Sequence, residues 1–291
     1  MRVAFLGLGI MGSRQAAHLV AHELSVWTRT PGKAGEWAAG HGARAAATPR
    51  EAAAGAEVVI SMVVDGDQVR ELLLGSDGAV HGAAPGTLFL DMTTIAPSQT
   101  RSIGGELGER GMRMVDAPVT GSSPRAEAGT LTIMCGGEAG DVEQARPLLE
   151  AMGELIVYAG PLGHGQMVKL INNAVAAINA ATVAQAFVAA TATGADLAAL
   201  SEVMAAGSGG SAMLALKGPP MRAHDYSTLF KLEHMLKDLR LCLEECQAAG
   251  VAFPSAAAAR DLYAAGTGRG LGDSDFIAVL EVLEGLSGVR I

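Results

Sequence analysis

Residues 2–12 read RVAFLGLGIMG, and this stretch decides the fold of the first half of the chain. Its start, residues 2–6, is an apolar run of strand length, and the following glycines are spaced G-x-G-x-x-G before a helical stretch. In such a turn the glycines allow, in order, a tight bend, close approach of a pyrophosphate, and packing of the helix on the strand. The phosphates then lie at the helix N-terminus. The sequence therefore predicts a dinucleotide-binding turn made by Gly7, Leu8, Gly9, Ile10, Met11 and Gly12.

The end of the second predicted strand favours NADP over NAD. A carboxylate at this place would accept hydrogen bonds from the free hydroxyls of the adenosine ribose. The strand ends instead with Thr28 and continues into Arg29 and Thr30, without an acid. An arginine flanked by two hydroxyls suits a ribose 2′-phosphate, although an ordinary solvated arginine would give the same pattern. We therefore predict that Thr28, Arg29 and Thr30 bind NADP(H).

The two halves of the chain differ in their predicted secondary structure. Up to about residue 160, short β-rich runs alternate with helical stretches, which is the pattern of a parallel sheet covered by helices on both faces. After Gly165 alanine-rich helical patterns take over, and the first of them runs from Gln166 to Thr193. The sequence predicts a doubly wound α/β domain, residues 1–162, joined by a long helix to an all-α domain, residues 163–291. The predicted strands are 2–6, 24–28, 58–62, 87–91, 113–117, 130–135 and, more weakly, 156–158.

Composition excludes several classes of protein. With 291 residues, 49% of them hydrophobic and 18% charged, the chain is typical of globular proteins and unlike disordered or fibrous ones. A net charge of -9 argues against a protein that neutralises nucleic-acid phosphates. The uncharged run 170–195 is long enough for a membrane helix, but its alanines and amides favour a buried helix. An N-terminus without a signal-peptide pattern, and three cysteines, favour a cytoplasmic protein without a disulfide framework.

A lysine occupies an unusual position in the second half. Residues 163–173 read GHGQMVKLINN, and the chain then carries no charged residue until Asp196. Lys169 therefore lies at the edge of a stretch that we expect to be buried, where a lysine needs a reason. With the helix starting at Gln166, a first-turn position near the positive helix end and partial burial would both favour release of its proton. Asn173, one turn along the same face, would hold the substrate or the lysine, or would form a helix–helix hydrogen bond.

Four motifs, in this order, resemble those of the β-hydroxyacid dehydrogenase family. They are the glycine turn 7–12, DAPVTGS at 116–122, the segment 163–173, and KDL at 237–239. The match runs from one end of the chain to the other, and four ordered motifs are more specific than any one of them. The resemblance implies an N-terminal Rossmann domain joined by a long helix to an all-α domain, in agreement with the predicted secondary structure of the two halves. It also implies an NADP-dependent hydroxyacid dehydrogenase or aldehyde-acid reductase.

The resemblance also implies roles for individual residues. Lys169 matches the catalytic lysine, with Asn173 beside it. The turn Thr120-Gly121-Ser122 matches the segment that binds the substrate's carboxylate, and its hydroxyls, N–H groups and small side chains suit that ligand. Phe230 and Asp238 are expected to lie around the substrate. The helix that carries Asp238 is of mixed charge, which by itself would indicate a solvated face. Further cofactor contacts are expected from Met62, Val63, Thr94 and Lys237.

The activity that the resemblance favours is NADPH-dependent reduction of a short aldehyde acid, with Lys169 as the proton donor. Residues 230–241 and 271–276 look most like those of glyoxylate and succinic semialdehyde reductases. Residues 123–126, SPRA, are closer to the tartronate semialdehyde and 3-hydroxyisobutyrate branches, which are the first alternative. An imine reductase and a nucleotide-binding subunit without turnover are further alternatives, and the lysine argues against both.

The expected partners follow from the same features. The substrate is expected to be a small carboxylated aldehyde or hydroxy acid, and neither nucleic acid, membrane nor metal is expected to bind. The apolar, alanine-rich faces of the second half exceed what one small helical domain needs to bury. We therefore expect a homodimer or homotetramer formed through that half.

Overall fold

The computed structural model describes all residues, 1–291, which form two compact units, residues 1–169 and residues 170–291. The first unit is α/β and the second is helical, as the sequence patterns of the two halves predict. The boundary between the units falls inside one long helix, α8 (His164–Thr193). This helix begins two residues before the predicted start at Gln166.

A nine-stranded sheet in the order β3-β2-β1-β4-β5-β6-β8-β7, with β9 paired to β8, forms the centre of the first unit. Strands β1 to β6 run parallel, and the strand order reverses between β1 and β4. Ligands of open α/β sheets bind at such a reversal, beyond the carboxyl ends of the strands. The strands are β1 (Arg2–Leu6), β2 (Glu23–Trp27), β3 (Arg44–Ala45), β4 (Val58–Ser61), β5 (Leu88–Asp91), β6 (Arg113–Asp116), β7 (Val119–Thr120), β8 (Leu131–Gly136) and β9 (Gly153–Gly160).

The prediction of a parallel sheet is wrong at one side. Strand β8 runs antiparallel to β6, where Asp116 pairs with Gly136, and antiparallel to β7, where Val119 pairs with Ile133. A parallel crossover needs about a dozen residues or more, and only residues 121–130 separate β7 from β8. The chain therefore folds back on itself here. The two-residue strands β3 and β7 are also absent from the sequence prediction, because two residues show no periodicity.

Helices cover both faces of the sheet because alternate strand residues point to opposite faces. In β1, Val3 and Phe5 join one core cluster with residues of α1, α2, α6 and α7. Ala4 and Leu6 join a second cluster with residues of α3, α4 and α5. These helices are α1 (Ile10–Ala17), α2 (Lys33–His41), α3 (Pro49–Ala53), α4 (Gly66–Leu74), α5 (Pro97–Gly108), α6 (Ser122–Ala128) and α7 (Ala139–Met152).

The second unit contains the rest of α8, five further α-helices and a short 3-10 helix (Phe276–Ala278). Helix α8 is long and apolar enough to cross a membrane by length and composition alone, but half of its most apolar stretch is buried inside the structure. Core helices of globular proteins share these properties, so its composition is weak evidence for a membrane. The other helices are α9 (Leu197–Ala206), α10 (Ala212–Arg222), α11 (Leu232–Ala248), α12 (Pro254–Gly268) and α13 (Val279–Ser287).

Candidate active site

The glycine turn after β1 has the shape that a dinucleotide phosphate requires. Gly7 has a φ of 108°, and a Cβ added to it would collide with the Met62 carbonyl oxygen. A Cβ on Gly12 would collide with the Gly7 carbonyl oxygen, whereas no atom lies within 4 Å of the place where Gly9 would carry one. Helix α1 begins at Ile10 without a side-chain cap. The turn is therefore closed on the protein side and open where phosphates would approach the helix N-terminus.

A cavity of about 490 Å³ lies at the end of β2, where the adenosine ribose of a dinucleotide would fall. Arg29 is the one charged residue of its lining and is exposed, between the half-buried Thr28 and the exposed Thr30. The lining offers no carboxylate to the ribose hydroxyls, and its guanidinium and hydroxyls fit a 2′-phosphate. The lining residues are Trp27, Thr28, Arg29, Thr30, Pro31, Gly32, Ala34, Gly35, Ala45, Ala46 and Ala47.

Three neighbouring strands end in buried polar residues, Ser61 of β4, Asp91 of β5 and Asp116 of β6, which pair in register. Ser61 Oγ donates a hydrogen bond to Asp91 Oδ1 over 2.7 Å, and Thr93 N donates to the same oxygen over 3.2 Å. The other oxygen, Oδ2, is buried without a hydrogen-bond partner. Burial raises the pKa of Asp91 to about 7, and the nearby carboxylate of Asp116 adds to this shift. Buried polar groups therefore concentrate at the sheet edge where a ligand would bind.

The segments after β4 and β5 are tied together at this edge. Val63 N donates a hydrogen bond to Thr93 Oγ1 over 3.0 Å. The Met62 carbonyl lies where a Cβ on Gly7 would be, so the segment after β4 also touches the glycine turn. The structure thus brings Met62, Val63 and the neighbour of Thr94 to the same edge of the first unit as the phosphate turn.

Asp116 fixes the start of helix α8 to the end of β6. Its Oδ1 accepts a hydrogen bond from Gly163 N over 2.7 Å, and its Oδ2 accepts one from Gln166 N over 2.7 Å. The first N–H groups of a helix lack partners within the helix, and a carboxylate there also meets the positive end of the helix dipole. Burial raises the pKa of Asp116 to about 6, while the two N–H donors act to lower it. The carboxylate is therefore mostly ionised at neutral pH.

Lys169 and Asn173 are buried side chains of α8, each with 6% of its surface exposed. They lie four residues apart on a continuous helix and so share a face. The predicted first-turn position of Lys169 is wrong, because α8 begins at His164 and the lysine lies in the second turn. The carboxylate of Asp116 binds the first turn. The helix dipole therefore favours loss of the lysine's proton less than the sequence predicts.

The turn Thr120-Gly121-Ser122 is strained. Gly121 has a φ of 134°, and Ser122 has a φ of 58°, a left-handed conformation that costs a residue with a side chain on the order of 1 kcal/mol. All three residues are half-buried. Thr120 belongs to β7, which is paired to β8, and Ser122 begins α6, so structure on both sides holds the turn. Backbone strain of this kind concentrates at binding and catalytic sites.

In the second unit, three of the predicted residues meet. Asn173 Nδ2 donates a hydrogen bond to Asp238 Oδ2 over 2.7 Å, and Lys237 Nζ lies 3.1 Å from Asp238 Oδ1. Asp238 is buried, so the mixed charge of its helix does not indicate a fully solvated face. Asn173 therefore makes the helix–helix hydrogen bond, from α8 to α11, that was the alternative to a substrate contact. That bond also fixes its amide.

Phe230 lies in a loop that a buried ion pair holds in place. Asp275 Oδ2 accepts hydrogen bonds from Leu229 N over 3.0 Å and from Phe230 N over 3.2 Å. Lys217 Nζ donates to both oxygens of Asp275 over 2.9 Å, and both charged residues are buried. Removing one partner of such a pair costs about 3–5 kcal/mol. The Phe230 backbone is therefore fixed, and its ring packs edge-on against Phe276.

Sequence reasoning missed the residues that hold these segments in place. For Asp91 and Asp116 a signal exists, since each is the last residue of a strand and Ser61 ends the strand beside them. For Gln166, which is fully buried, helical periodicity gives no signal. The pair of Lys217 with Asp275 joins residues far apart in the sequence, and no local pattern predicts it.

The Rossmann unit and its phosphate turn, followed by a helical unit, define a dinucleotide-binding protein of two domains. Residues 2–160 match the family model described as the NAD binding domain of 6-phosphogluconate dehydrogenase. Residues 163–283 match the model described as NAD-binding of NADP-dependent 3-hydroxyisobutyrate dehydrogenase. The chain belongs to the β-hydroxyacid dehydrogenase family.

Relatives in this family act on different substrates. The chain is 38% identical to the NAD-dependent L-serine dehydrogenase of Pseudomonas aeruginosa, over 99% of each chain. It is 34% identical to the chloroplastic glyoxylate/succinic semialdehyde reductase 2 of Arabidopsis thaliana, over 97% of this chain and 79% of that protein. The solved structure of Mycobacterium tuberculosis 3-hydroxyisobutyrate dehydrogenase with L-serine matches with a TM-score of 0.88 and 34% identity, over 97% of this chain and 98% of that one. The family thus supports an NAD(P)-dependent enzyme.

Proposed function

We propose that this protein reduces a short aldehyde acid, of the glyoxylate or succinic semialdehyde type, with NADPH and with Lys169 as the proton donor. The observation that carries the proposal is a buried lysine on a helix whose first turn is fixed to the carboxyl end of the sheet. The likeness to the Arabidopsis reductase supports the substrate class.

Bound NADPH supplies the hydride that reaches the aldehyde carbon, so the chain's own residues must supply a proton to the oxygen as negative charge builds there. Lys169 donates this proton, and in the reverse direction it accepts the proton of the alcohol. Asn173, whose amide is fixed by Asp238, shares the helix face of the lysine and binds the oxygen without adding charge. The N–H groups and hydroxyls of the Thr120-Gly121-Ser122 turn bind the substrate's carboxylate. Phe230 and Asp238 border the substrate.

The cofactor assignment rests on the cavity at the end of β2. Arg29 is its one charged residue, and a guanidinium binds a phosphate in a charge-assisted, bidentate manner. The glycine turn, residues 7–12, binds the pyrophosphate. Met62, Val63 and Lys237 contact the cofactor, and Thr94 contacts its nicotinamide side.

A second candidate is oxidation of L-serine or 3-hydroxyisobutyrate. The identity to the Pseudomonas enzyme, and the Mycobacterium structure with L-serine, favour it. Both compounds carry a primary alcohol and a carboxylate separated by one carbon, as tartronate semialdehyde does for its aldehyde. Glyoxylate has no carbon between the two groups, and succinic semialdehyde has two. The candidates therefore differ mainly in the distance between the reacting carbon and the carboxylate.

We also propose that the enzyme is a cytoplasmic homodimer or homotetramer. Helix α9 has an apolar sequence, LAALSEVMAA, yet none of its residues is buried, and Val203 is 69% exposed. An exposed apolar helix of this kind is typical of a surface covered in an oligomer. The three cysteines are free and buried, which supports a reducing compartment.

A substrate panel tests the proposed activity. Glyoxylate, succinic semialdehyde, tartronate semialdehyde, methylmalonate semialdehyde and a cyclic imine are assayed as acceptors with NADPH and NADH, and L-serine and 3-hydroxyisobutyrate are assayed as donors with NADP⁺ and NAD⁺. The highest kcat/KM is expected for glyoxylate or succinic semialdehyde with NADPH. Preference for a donor with NAD⁺ would establish the second candidate instead, and a cyclic imine consumed faster than every aldehyde would contradict both.

Replacing Lys169 by Ala is expected to lower kcat by about 100- to 10,000-fold, the usual contribution of a general acid. The Kd of NADPH, measured by titration of its fluorescence, is expected to change less than about threefold, because the lysine serves the substrate oxygen. Lys169→Arg is the matched control, since it keeps the charge but donates a proton poorly. Turnover retained in either variant at the wild-type rate would exclude the lysine as proton donor.

Replacing Arg29 by Asp is expected to weaken NADPH binding about 10- to 100-fold, because charge-assisted hydrogen bonds to the phosphate are lost. NADH binding is expected to stay the same or improve, since the new carboxylate can accept the ribose hydroxyls. Arg50→Asp makes the same charge change at an exposed residue outside the cavity lining, and it controls for long-range electrostatics. Equal loss of affinity for both cofactors in Arg29→Asp would contradict the NADP assignment.

Light scattering tests the oligomer. A dimer or tetramer is expected at micromolar concentration, and Val203→Asp is expected to shift it towards the monomer by placing a charge on α9. Val251→Asp, at another exposed apolar residue outside the helices, is expected to leave the mass unchanged. A wild-type monomer would show the expectation to be wrong.

A further inference from the structure

We propose that Gln166 is a positioning residue of the reaction, because its side-chain amide fixes Thr94, and with it the nicotinamide side of the cofactor, with respect to the helix that carries Lys169. This proposal rests on the proposed function, since the nicotinamide contact of Thr94 is part of that proposal. Gln166 is fully buried and lies three residues before Lys169 on α8.

The two ends of the Gln166 amide bind the backbone on both sides of Thr94. Nε2 donates a hydrogen bond to the Thr93 carbonyl oxygen over 2.6 Å, and Oε1 accepts one from Ile95 N over 3.2 Å. These atoms belong to the two peptide groups that flank Thr94. The amide therefore pairs with the backbone on both sides of Thr94, as a residue of a neighbouring strand would. It sets the orientation of both peptide planes. We call these two hydrogen bonds the Gln166 clamp.

The clamp is anchored at both of its ends. On the helix side, Gln166 N donates to Asp116 Oδ2, which fixes the first turn of α8. On the loop side, Thr93 N donates to Asp91 Oδ1, and Thr93 Oγ1 accepts a hydrogen bond from Val63 N. The loop after β5 is thus tied to the segment after β4, to the end of its own strand and to the helix. The Gln166 amide links that loop directly to a side chain of the helix.

A glutamine at this buried place has a cost that an apolar residue would avoid. Burying an amide is unfavourable unless its polar atoms are hydrogen-bonded, and here both polar atoms are used on one loop. Since hydride and proton transfer depend steeply on geometry, a displacement of about 1 Å costs about 100-fold in rate. The clamp therefore holds Thr94 and Lys169 at the spacing that the reaction needs.

Two variants of Gln166 test the clamp. Gln166→Leu removes both hydrogen bonds, and Gln166→Glu keeps an acceptor for Ile95 N but places a second oxygen against the Thr93 carbonyl. The rate of hydride transfer in a single turnover is expected to fall about 10- to 100-fold in Gln166→Leu, and by a similar factor in Gln166→Glu at a pH above the pKa of the introduced carboxyl group, which burial raises. The KM of the substrate and the Kd of the cofactor are expected to change less than about threefold, because the phosphate turn and the carboxylate turn are untouched.

Low pH separates positioning from a general loss of stability. In Gln166→Glu, protonation of the introduced carboxyl group restores a donor for the Thr93 carbonyl. This variant is therefore expected to recover rate, relative to wild type, as the pH falls, while Gln166→Leu is not. Thr87→Val is the matched control, since it removes a buried hydrogen bond from Thr87 Oγ1 to the Ala56 carbonyl at the opposite end of β5. It is expected to lower the melting temperature but not the rate of hydride transfer.

A wild-type rate in Gln166→Leu, or an equal loss of rate in Thr87→Val, would overturn the proposal. The assay uses the substrate and direction that the panel identifies, so a change of substrate does not affect it. The fluorescence of the bound reduced cofactor gives a readout without turnover, and its nicotinamide emission is expected to differ between wild type and Gln166→Leu. Failure of the panel together with altered emission would count against the proposed function only, and unaltered emission would count against the clamp.

Discussion

The carboxylate of Asp116 determines where the long helix begins, and the candidate site of the first unit depends on that point. Its two oxygens accept the N–H groups of Gly163 and Gln166, so the first turn of α8 is held against the end of β6. Hydrogen bonds to a charged acceptor contribute about 1.5–3 kcal/mol each. Gly165 lies between these two N–H donors in the chain. The helix can approach the sheet this closely only because Gly165 has no side chain, since a Cβ there would collide with the Met134 carbonyl oxygen. Because the helix is continuous, the hydrogen bonds of Asp116 to its first turn also set the position of the second turn, which carries Lys169.

Much of the fold could be predicted from local patterns. Strand periodicity and the glycine turn of residues 7–12 predict the parallel part of the sheet, because both signals lie within a few residues. The antiparallel pairing of β8 could not be predicted in this way, since it depends on how far a short connection reaches. The predicted start of α8 is wrong for a similar reason, because Asp116 lies about fifty residues earlier in the chain and caps the helix there.

The residues of the candidate site also fall into those that local sequence patterns reveal and those that they do not. The residues proposed to touch a ligand, such as Lys169 and Arg29, stand out in the sequence. Lys169 is a charge at the edge of an apolar stretch, and Arg29 takes the place of an expected acid. Residues that hold others in place, such as Gln166 and Asp275, bind backbone atoms of distant segments and leave no periodic signal. The proposed cofactor preference therefore rests on one exposed arginine, whereas the position of the lysine depends on buried hydrogen bonds.

Amide hydrogen exchange tests the anchoring role of Asp116 most directly. The first amides of a helix usually exchange freely because they have no partner within the helix. If Asp116 fixes the start of α8, the amides of Gly163 and Gln166 exchange as slowly as a central strand amide such as that of Leu90. At least one of them becomes fast in Asp116→Asn, whose side chain keeps only one acceptor oxygen. Fast exchange of both amides in the wild-type protein, at the rate of the first-turn Ala34 in the uncapped helix α2, would contradict the account.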